Sequence, residues 1–186
     1  MSVFLLAAPI VAVVLAALWL AVAFNRLVRD RNLMREAWSG IDVQLKRRHS
    51  LIPNLVAVVE GYSAHERGTL EQVTRARTRS LAAQDHSERE SSENALSGGL
   101  RGLLAVAEAY PDLKADRTFG ELHRQLVDVE DQLQHARRYY NATTRDYNTR
   151  AESFPSNIVA GLFGFRPAPF FEIETATERE APKVEA

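Results

Sequence analysis

The chain has 186 residues, with 23 Lys and Arg against 24 Asp and Glu and a formal net charge of −1, so bulk charge gives no pull toward nucleic acid. It has no cysteine, which excludes disulfides, thiol nucleophiles and thiolate metal sites. Gly (9) and Pro (7) are sparse beside abundant Ala, Leu, Arg and Glu, a mix that favours helix.

Met1 to Asn25 holds no charged side chain and is mostly Ala, Val, Leu and Ile. At ~1.5 Å per residue, Val3 to Phe24 spans ~33 Å, enough to cross the hydrocarbon of a bilayer. Arg26, Arg29, Arg31 and Arg35 follow it, and only the α-amino group is basic before it. The positive-inside rule then predicts the amino terminus outside and the remainder in the cytoplasm. Trp19 and Phe24 suit the inner interfacial belt. Two rival readings stand beside an anchor at residues 1–25. Ala21-Val22-Ala23 resembles a signal-peptide cleavage site, but the run lacks a basic n-region and exceeds a typical apolar core. A buried core helix seldom lacks charge for so long.

From about Asn25 to Tyr62, Trp38, Ile41, Leu45, Arg48, Ile52, Leu55, Val59 and Tyr62 step by three and four. This is a heptad seam with one arginine on it, on a helix continuous with the span. Pro53 interrupts it, lacking the N–H that would bond to the carbonyl of His49. The row keeps its phase across Pro53, so a bent, unbroken helix is expected, with Ser50 helping to satisfy the backbone.

A second segment, about 63–83, opens on Ser63 and Glu66 at capping-box spacing and carries Leu70, Val73 and Ala76 on one face. Gln84 to Asn94 is polar, shows no apolar stripe and reads as a loop, with Ser87 and Glu90 placed to cap the next helix. Leu96, Leu100, Leu103, Ala107 and Tyr110 form a third stripe, stopped by Pro111. Gly98, Gly99 and Gly102 weaken that helix by ~1 kcal/mol each unless they permit close helix approach. PDLKADR reads as a turn.

The fourth segment starts at the Thr118–Glu121 capping pair. Phe119, Leu122, Leu126, Val129, Leu133, Ala136, Tyr140, Thr143 and Tyr147 form an unbroken row that ends before Phe154-Pro155. A short helix over Ser156 to Leu162, closed by Gly161 and Gly164, follows. The tail, 171–186, carries five Glu against one Arg and one Lys from Glu172 onward and reads as disordered. No period-two alternation appears, so no strands are expected. The predicted fold is all-α: one N-terminal transmembrane helix, then an antiparallel, roughly four-helix bundle over 26–170 with long heptad-patterned helices.

Ala37-Trp38-Ser39, IDVQLKRR and LIPNLV together resemble the signature of the LemA family of bacterial membrane proteins. GYSAHE, TLEQVTRAR, YPDLKA, ARRYYN…YN…FPSN and GFRPAPFFE look like further blocks in family order. The match covers about Asn25 to Glu172. The resemblance implies a single span in the bacterial inner membrane, N-terminus outside, with a cytoplasmic helical bundle; it implies no particular reaction. Some members are associated with membrane or magnetosome biology, which suggests a scaffold. Ser50 departs from the aspartate expected before LIPN; both residues suit a helix cap, but an acidic contact there is lost.

No catalytic constellation emerges. None of His49, His65, His86, His123 and His135 has a Glu three residues earlier, so the di-iron bundle pattern is missing, and Asp131 with His135 reads as a solvated pair. HExxH, P-loop, dinucleotide and nucleophile-elbow motifs are absent too, so neither metal nor cofactor is expected. Seven basic residues against three acidic ones between Arg26 and Arg48 form a stripe. Beside a membrane span, anionic lipid is its nearer partner than nucleic acid. Arg26, Arg29, Arg31 and Arg35 are the lipid-contact candidates. Lys46 to Arg48 lies ~30 Å farther along the helix, several Debye lengths away, and is expected to pair with carboxylates on neighbouring helices or with a partner. Tyr140-Asn141 and Tyr147-Asn148 repeat at seven residues and either line a partner groove or, the favoured reading, bond across the bundle. Trp38 reads as core more readily than as a ligand platform. Partner-binding candidates are Trp38, Asp42, Lys46, Arg47, Tyr140, Asn141, Tyr147 and Asn148. The expected function is a membrane-tethered scaffold or protein-interaction module that binds the bilayer, membrane or cytoplasmic proteins, or its own copies. The alternatives are an accessory factor in membrane proteostasis or remodelling with lipid contact, or an enzyme with an unfamiliar site.

Overall fold

The computed structural model describes residues 2–63 and 65–173, with side chains from residue 9 onward. The described residues form helices α1 (Ser2–Tyr62), α2 (Arg67–Ala82), α3 (His86–Ala109), α4 (Pro111–Ala115), α5 (Arg117–Glu152) and α6 (Ser156–Phe163), with no strand among them. They divide into two units, residues 2–38 with 139–170 and residues 39–138 with 171–173.

In the second unit the heptad rows become the core. Ile52, Leu55 and Val59 of α1 pack with Leu70 and Val73 of α2, Leu96, Leu100 and Leu103 of α3, and Phe119, Leu122 and Leu126 of α5. Burial of these stripes, worth ~1.5–3 kcal/mol for each fully buried large side chain, is what the helices gain by associating. Pairings fix the directions. Arg48 meets Glu130, and Tyr62 donates to Asp116 at 3.0 Å, so α1 and α5 are antiparallel. Ser80 meets Glu93, and a Cβ on Gly99 would lie 3.3 Å from Val73 Cγ2, so α2 and α3 are antiparallel and closely approached. The glycine thus permits the helix contact.

α1 runs unbroken through Pro53, as the preserved phase requires. Three boundaries differ from the sequence reading. Glu66, not Ser63, precedes α2, and it makes no side-chain cap bond; Ser63 instead donates its hydroxyl to the Val59 carbonyl at 2.8 Å. The loop expected over 84–94 is confined there to Gln84 and Asp85, and residues 86–94 form the first turns of α3. Asp85 accepts from Glu88 N at 2.7 Å, and Glu88 Oε2 accepts from Gln84 N at 3.0 Å, so Asp85 replaces the expected caps Ser87 and Glu90. Asp116 rather than Thr118 caps α5, accepting from Phe119 N at 2.8 Å, while Glu121 pairs with Arg117. Within PDLKADR, five residues form α4, led by Pro111 at a position where its missing N–H costs nothing.

In the first unit, Ala23 and Leu27 of α1 pack with Tyr147 and Ala151 of α5, Val159 and Ala160 of α6, and Phe165. α6 ends at Gly164, whose φ of 70° is the left-handed cap conformation glycine favours. From Ile10 to Val22 the large apolar side chains of α1 stay exposed: Val13 is 68% and Leu15 61% accessible. A core helix would bury that surface, so the core-helix reading fails. Ala23, last of the cleavage-like triplet, is buried in the cluster above. α1 is the described helix long and apolar enough to cross a membrane. Phe171 and Ile173, placed in the tail by sequence, are buried instead, and Arg137 donates to the Ile173 carbonyl. Residues 174–186, the rest of that tail, lie outside the described residues.

Candidate functional site

The basic triplet of α1 divides by helix face. Lys46 is exposed and pairs with Asp42 one turn back, at 2.7 Å, rather than with a neighbouring helix as expected. Asp42 also accepts from Arg89 of α3 at 2.9 Å, and these two cations hold its carboxyl below the usual aspartate range: Lys46 contributes most, against a smaller opposing effect of burial. Arg47 is exposed and donates to Gln44 Oε1 of its own helix, at 3.4 Å.

Arg48 lies on the seam and is fully buried. Its Nη1 donates to Glu93 Oε2 at 3.1 Å, its Nη2 to Ser97 Oγ at 2.6 Å, and its Nε lies 2.8 Å from Glu130 Oε1. The second oxygen of Glu93 faces His49 Nε2 at 2.8 Å and accepts from Ser80 Oγ. All four long helices of the unit therefore contribute to one polar layer: Arg48 and His49 from α1, Ser80 from α2, Glu93 and Ser97 from α3, Glu130 from α5. Each is less than a tenth exposed. Burial pushes the Glu93 carboxyl up, but the His49 hydrogen bond, the charges of Arg48 and His49, and Ser80 outweigh it and hold the pKa below its ordinary value. Glu93 is thus a carboxylate inside the bundle, and Arg48 stands between it and Glu130 as the countercharge. Such a set is costly to desolvate and tolerable only when fully paired; its attested use is fixing which helices face each other and in what register.

Next to the layer, Arg77 of α2 donates from Nε to the His49 carbonyl at 2.8 Å. That carbonyl is the one Pro53 leaves without its helical donor. Ser50 donates to the Arg47 carbonyl at 2.7 Å.

In the first unit, Tyr140, Tyr147 and Asn148 of the Tyr-Asn repeat hold the chain's own segment 165–170. Tyr140 donates to Pro169 O and Tyr147 to Arg166 O, each at 2.9 Å. Asn148 donates to Ala168 O at 2.9 Å and accepts from Ala168 N at 2.8 Å. The reason is in the sequence Arg166-Pro167-Ala168-Pro169: proline blocks a helix and holds the preceding residue extended, so the carbonyls need donors from elsewhere. Asn141 is half-buried. Trp38, also half-buried, meets the buried Tyr140 edge-on at 5.2 Å between ring centroids.

Of the arginines after the apolar run, Arg26, Arg29 and Arg35 are exposed. Arg31 is not free for lipid in the same way: its guanidinium sits 4.9 Å from the centroid of the Phe165 ring. Arg29 and Leu33 also border a shallow groove with Asp146 and Arg150, and Arg150 pairs with Asp30.

The model of the LemA family matches residues 37–185. This chain belongs to the LemA family. Protein LemA of Metamycoplasma hominis is 30% identical over 138 residues, covering 73% of this chain and 63% of that protein. Magnetosome protein MamQ 2 of Paramagnetospirillum magneticum is 24% identical over 183 residues, covering 84% and 67%. Magnetosome protein MamQ of Magnetospirillum gryphiswaldense is 23% identical over 180 residues, covering 83% and 65%. The chain spans about two thirds of the length of these relatives. The interval matched by the LemA model contains the whole Arg48 layer and the Tyr-Asn clasp of 165–170.

Sequence reasoning placed Arg48 on the seam and missed its partners. Glu93 was hidden in a stretch read as loop. Continuing the α3 row back three residues from Leu96 lands on Glu93, and continuing the α2 row four residues from Ala76 lands on Ser80. Glu130 follows Leu126 by four. The signal was a set of polar residues in phase with apolar rows.

Proposed function

We propose that this LemA-family protein is a membrane-anchored scaffold whose helical surface binds other proteins, with its amino terminus outside and the residues after the span in the cytoplasm. The observation that carries the reading is the complete burial of the Arg48–Glu93–Glu130 layer. Its charged groups are committed to one another and are closed to solvent, which suits alignment of helices better than work on a substrate. Exposed side chains such as Lys46 and Arg47 are what remains to meet a partner. The orientation is supported by the arginines that follow the apolar run. A second reading, an accessory factor in membrane remodelling or proteostasis that touches lipid, is favoured by the exposed apolar side chains of α6.

A photo-crosslinking amino acid at Arg47, in cells expressing the full chain, tests the scaffold. Discrete adducts that vanish with Lys46→Glu are expected; an uncrosslinked monomer under every condition overturns it. The native chain has no cysteine, so Ser2→Cys and Glu121→Cys report topology directly. An impermeant maleimide should label the first in intact cells and the second only after lysis.

A further inference from the structure

We infer that α6, with the preceding Phe154, lies in the headgroup boundary of the membrane as a second, non-spanning lipid contact. This rests on the reading that α1 spans the bilayer. From Ser153 to Phe165 there are thirteen residues without a charge, bounded by Glu152 and Arg166. One face of α6 is satisfied: Val159 and Ala160 are buried with Ala23 and Leu27. The other face is not. Phe154 is 80% accessible, Leu162 71%, Ile158 53% and Phe163 52%. Ile158 and Leu162 are one turn apart and form a single apolar ridge. A contiguous apolar patch of this kind, rather than scattered single residues, marks an interaction surface.

The depth of α6 selects lipid as the occupant. Phe24 is the last apolar residue before the first charge of α1, at the end of a ~33 Å run that matches ~30 Å of hydrocarbon. Its ring meets Phe163 edge-on at 4.8 Å and Phe165 at 5.7 Å between centroids. The α6 ridge is therefore held beside the residue that marks the inner bilayer boundary, and the patch continues the apolar surface of the span. Arg26 and Arg29, both exposed, and Arg166 supply cations for lipid phosphates at the same level. An apolar helix face in this setting sinks ~5–10 Å into the headgroup and acyl boundary.

The test uses the full chain reconstituted into vesicles of phosphatidylethanolamine and phosphatidylglycerol. Single cysteines at Ile158→Cys, Leu162→Cys, Leu15→Cys and Ala142→Cys carry an environment-sensitive fluorophore. Quenchers are iodide in water and nitroxide lipids labelled at shallow or deep acyl positions. Ile158, Leu162 and Ala142 are all exposed, so labels there leave the packing intact. The expected result is loss of fluorescence at Ile158 and Leu162 with shallow nitroxide, protection from iodide, and the reverse pattern at Ala142. The Leu15 label should respond most to deep nitroxide. If Leu15 responds to lipid quencher but Ile158 and Leu162 are as open to iodide as Ala142, the inference is overturned and the span stands. If Leu15 itself is open to iodide, both fall. Protection from iodide at Ile158 and Leu162 without lipid quenching would show that a second copy or another protein covers the ridge, and also overturns the inference.

Discussion

Arg77 donates from Nε to the carbonyl oxygen of His49 at 2.8 Å, across from α2 to α1. The helical donor for that oxygen would have been residue 53, and residue 53 is proline. Removing the donor alone leaves a buried acceptor unpaired, so Arg77→Met should cost ~1–3 kcal/mol in chemical unfolding of the detergent-solubilised protein. Pro53→Ala restores an N–H to the helix and should make the Arg77→Met change cheaper. A double-mutant cycle measures this. Equal costs of Arg77→Met in both backgrounds would show that the two residues do not share the carbonyl.

The Arg48 layer predicts strong non-additivity of a different kind. Arg48→Met strands two buried carboxylates, Glu93 and Glu130, and should destabilise by ~3–5 kcal/mol or prevent folding. Glu93→Leu strands part of the guanidinium and should also be severe. The triple change Arg48→Met, Glu93→Leu, Glu130→Leu removes the charges together and should recover much of the loss. Thermal melts followed by circular dichroism give the order of the four proteins. If the triple variant is the least stable, the ion pairs stabilise the fold outright rather than align it.

The lowered pKa of Glu93 gives the layer an acid signature. In the unfolded chain Glu93 titrates near ~4.3. As pH falls through that value the unfolded state takes up the proton first, so stability declines until pH passes the lower folded value. The contribution is fully present above ~4.3 and is lost below it. Unfolding midpoints between neutral pH and pH 3 should therefore fall less steeply for Glu93→Gln than for the native chain, on top of its lower starting stability. His49 faces one Glu93 oxygen and Arg48 the other, with Glu130 beyond Arg48, so the comparison is repeated in a His49→Gln background.

The parts of the fold that were legible in the sequence share one property: apolar side chains repeat in phase over many turns. Ile41 to Val59 and Phe119 to Tyr147 announced α1 and α5, and all of those row positions except the half-buried Ala136 are buried. Phase also carried the reading through Pro53. What was not legible depended on pairings between distant residues. The start of α3 reads as loop because 84–94 is polar, yet Ser92 and Glu93 are buried: Ser92 donates to the Arg89 carbonyl of its own helix, and Arg48, His49 and Ser80 on other helices satisfy Glu93. Tertiary hydrogen bonding overrode the local pattern. Caps were misplaced for a related reason: several Ser, Thr, Asp and Glu combinations compete over three or four residues, and only the packed helix selects among them. The Tyr-Asn repeat was visible as a motif, but its role depends on a proline-rich segment some twenty residues later.

That role can be tested at one side chain. Asn148 offers both halves of its amide to Ala168, donating to the carbonyl and accepting from the N–H. Each bond is worth ~0.5–1.5 kcal/mol net. The segment they hold follows α6, and only its first residue, Phe165, bonds back to that helix, at the Ala160 carbonyl. Asn148→Ala should therefore open 165–170 locally while leaving global unfolding of the helices nearly unchanged. Hydrogen exchange read by mass spectrometry should show faster exchange at Ala168, with α2 and α3 unaffected. Asn148→Asp separates the two bonds: it keeps an acceptor for Ala168 N but loses the donor and faces the Ala168 carbonyl with a charge. It should loosen the segment at neutral pH at least as much as alanine does. Unchanged exchange at Ala168 in both variants would mean that Tyr140 and Tyr147 hold the segment without Asn148.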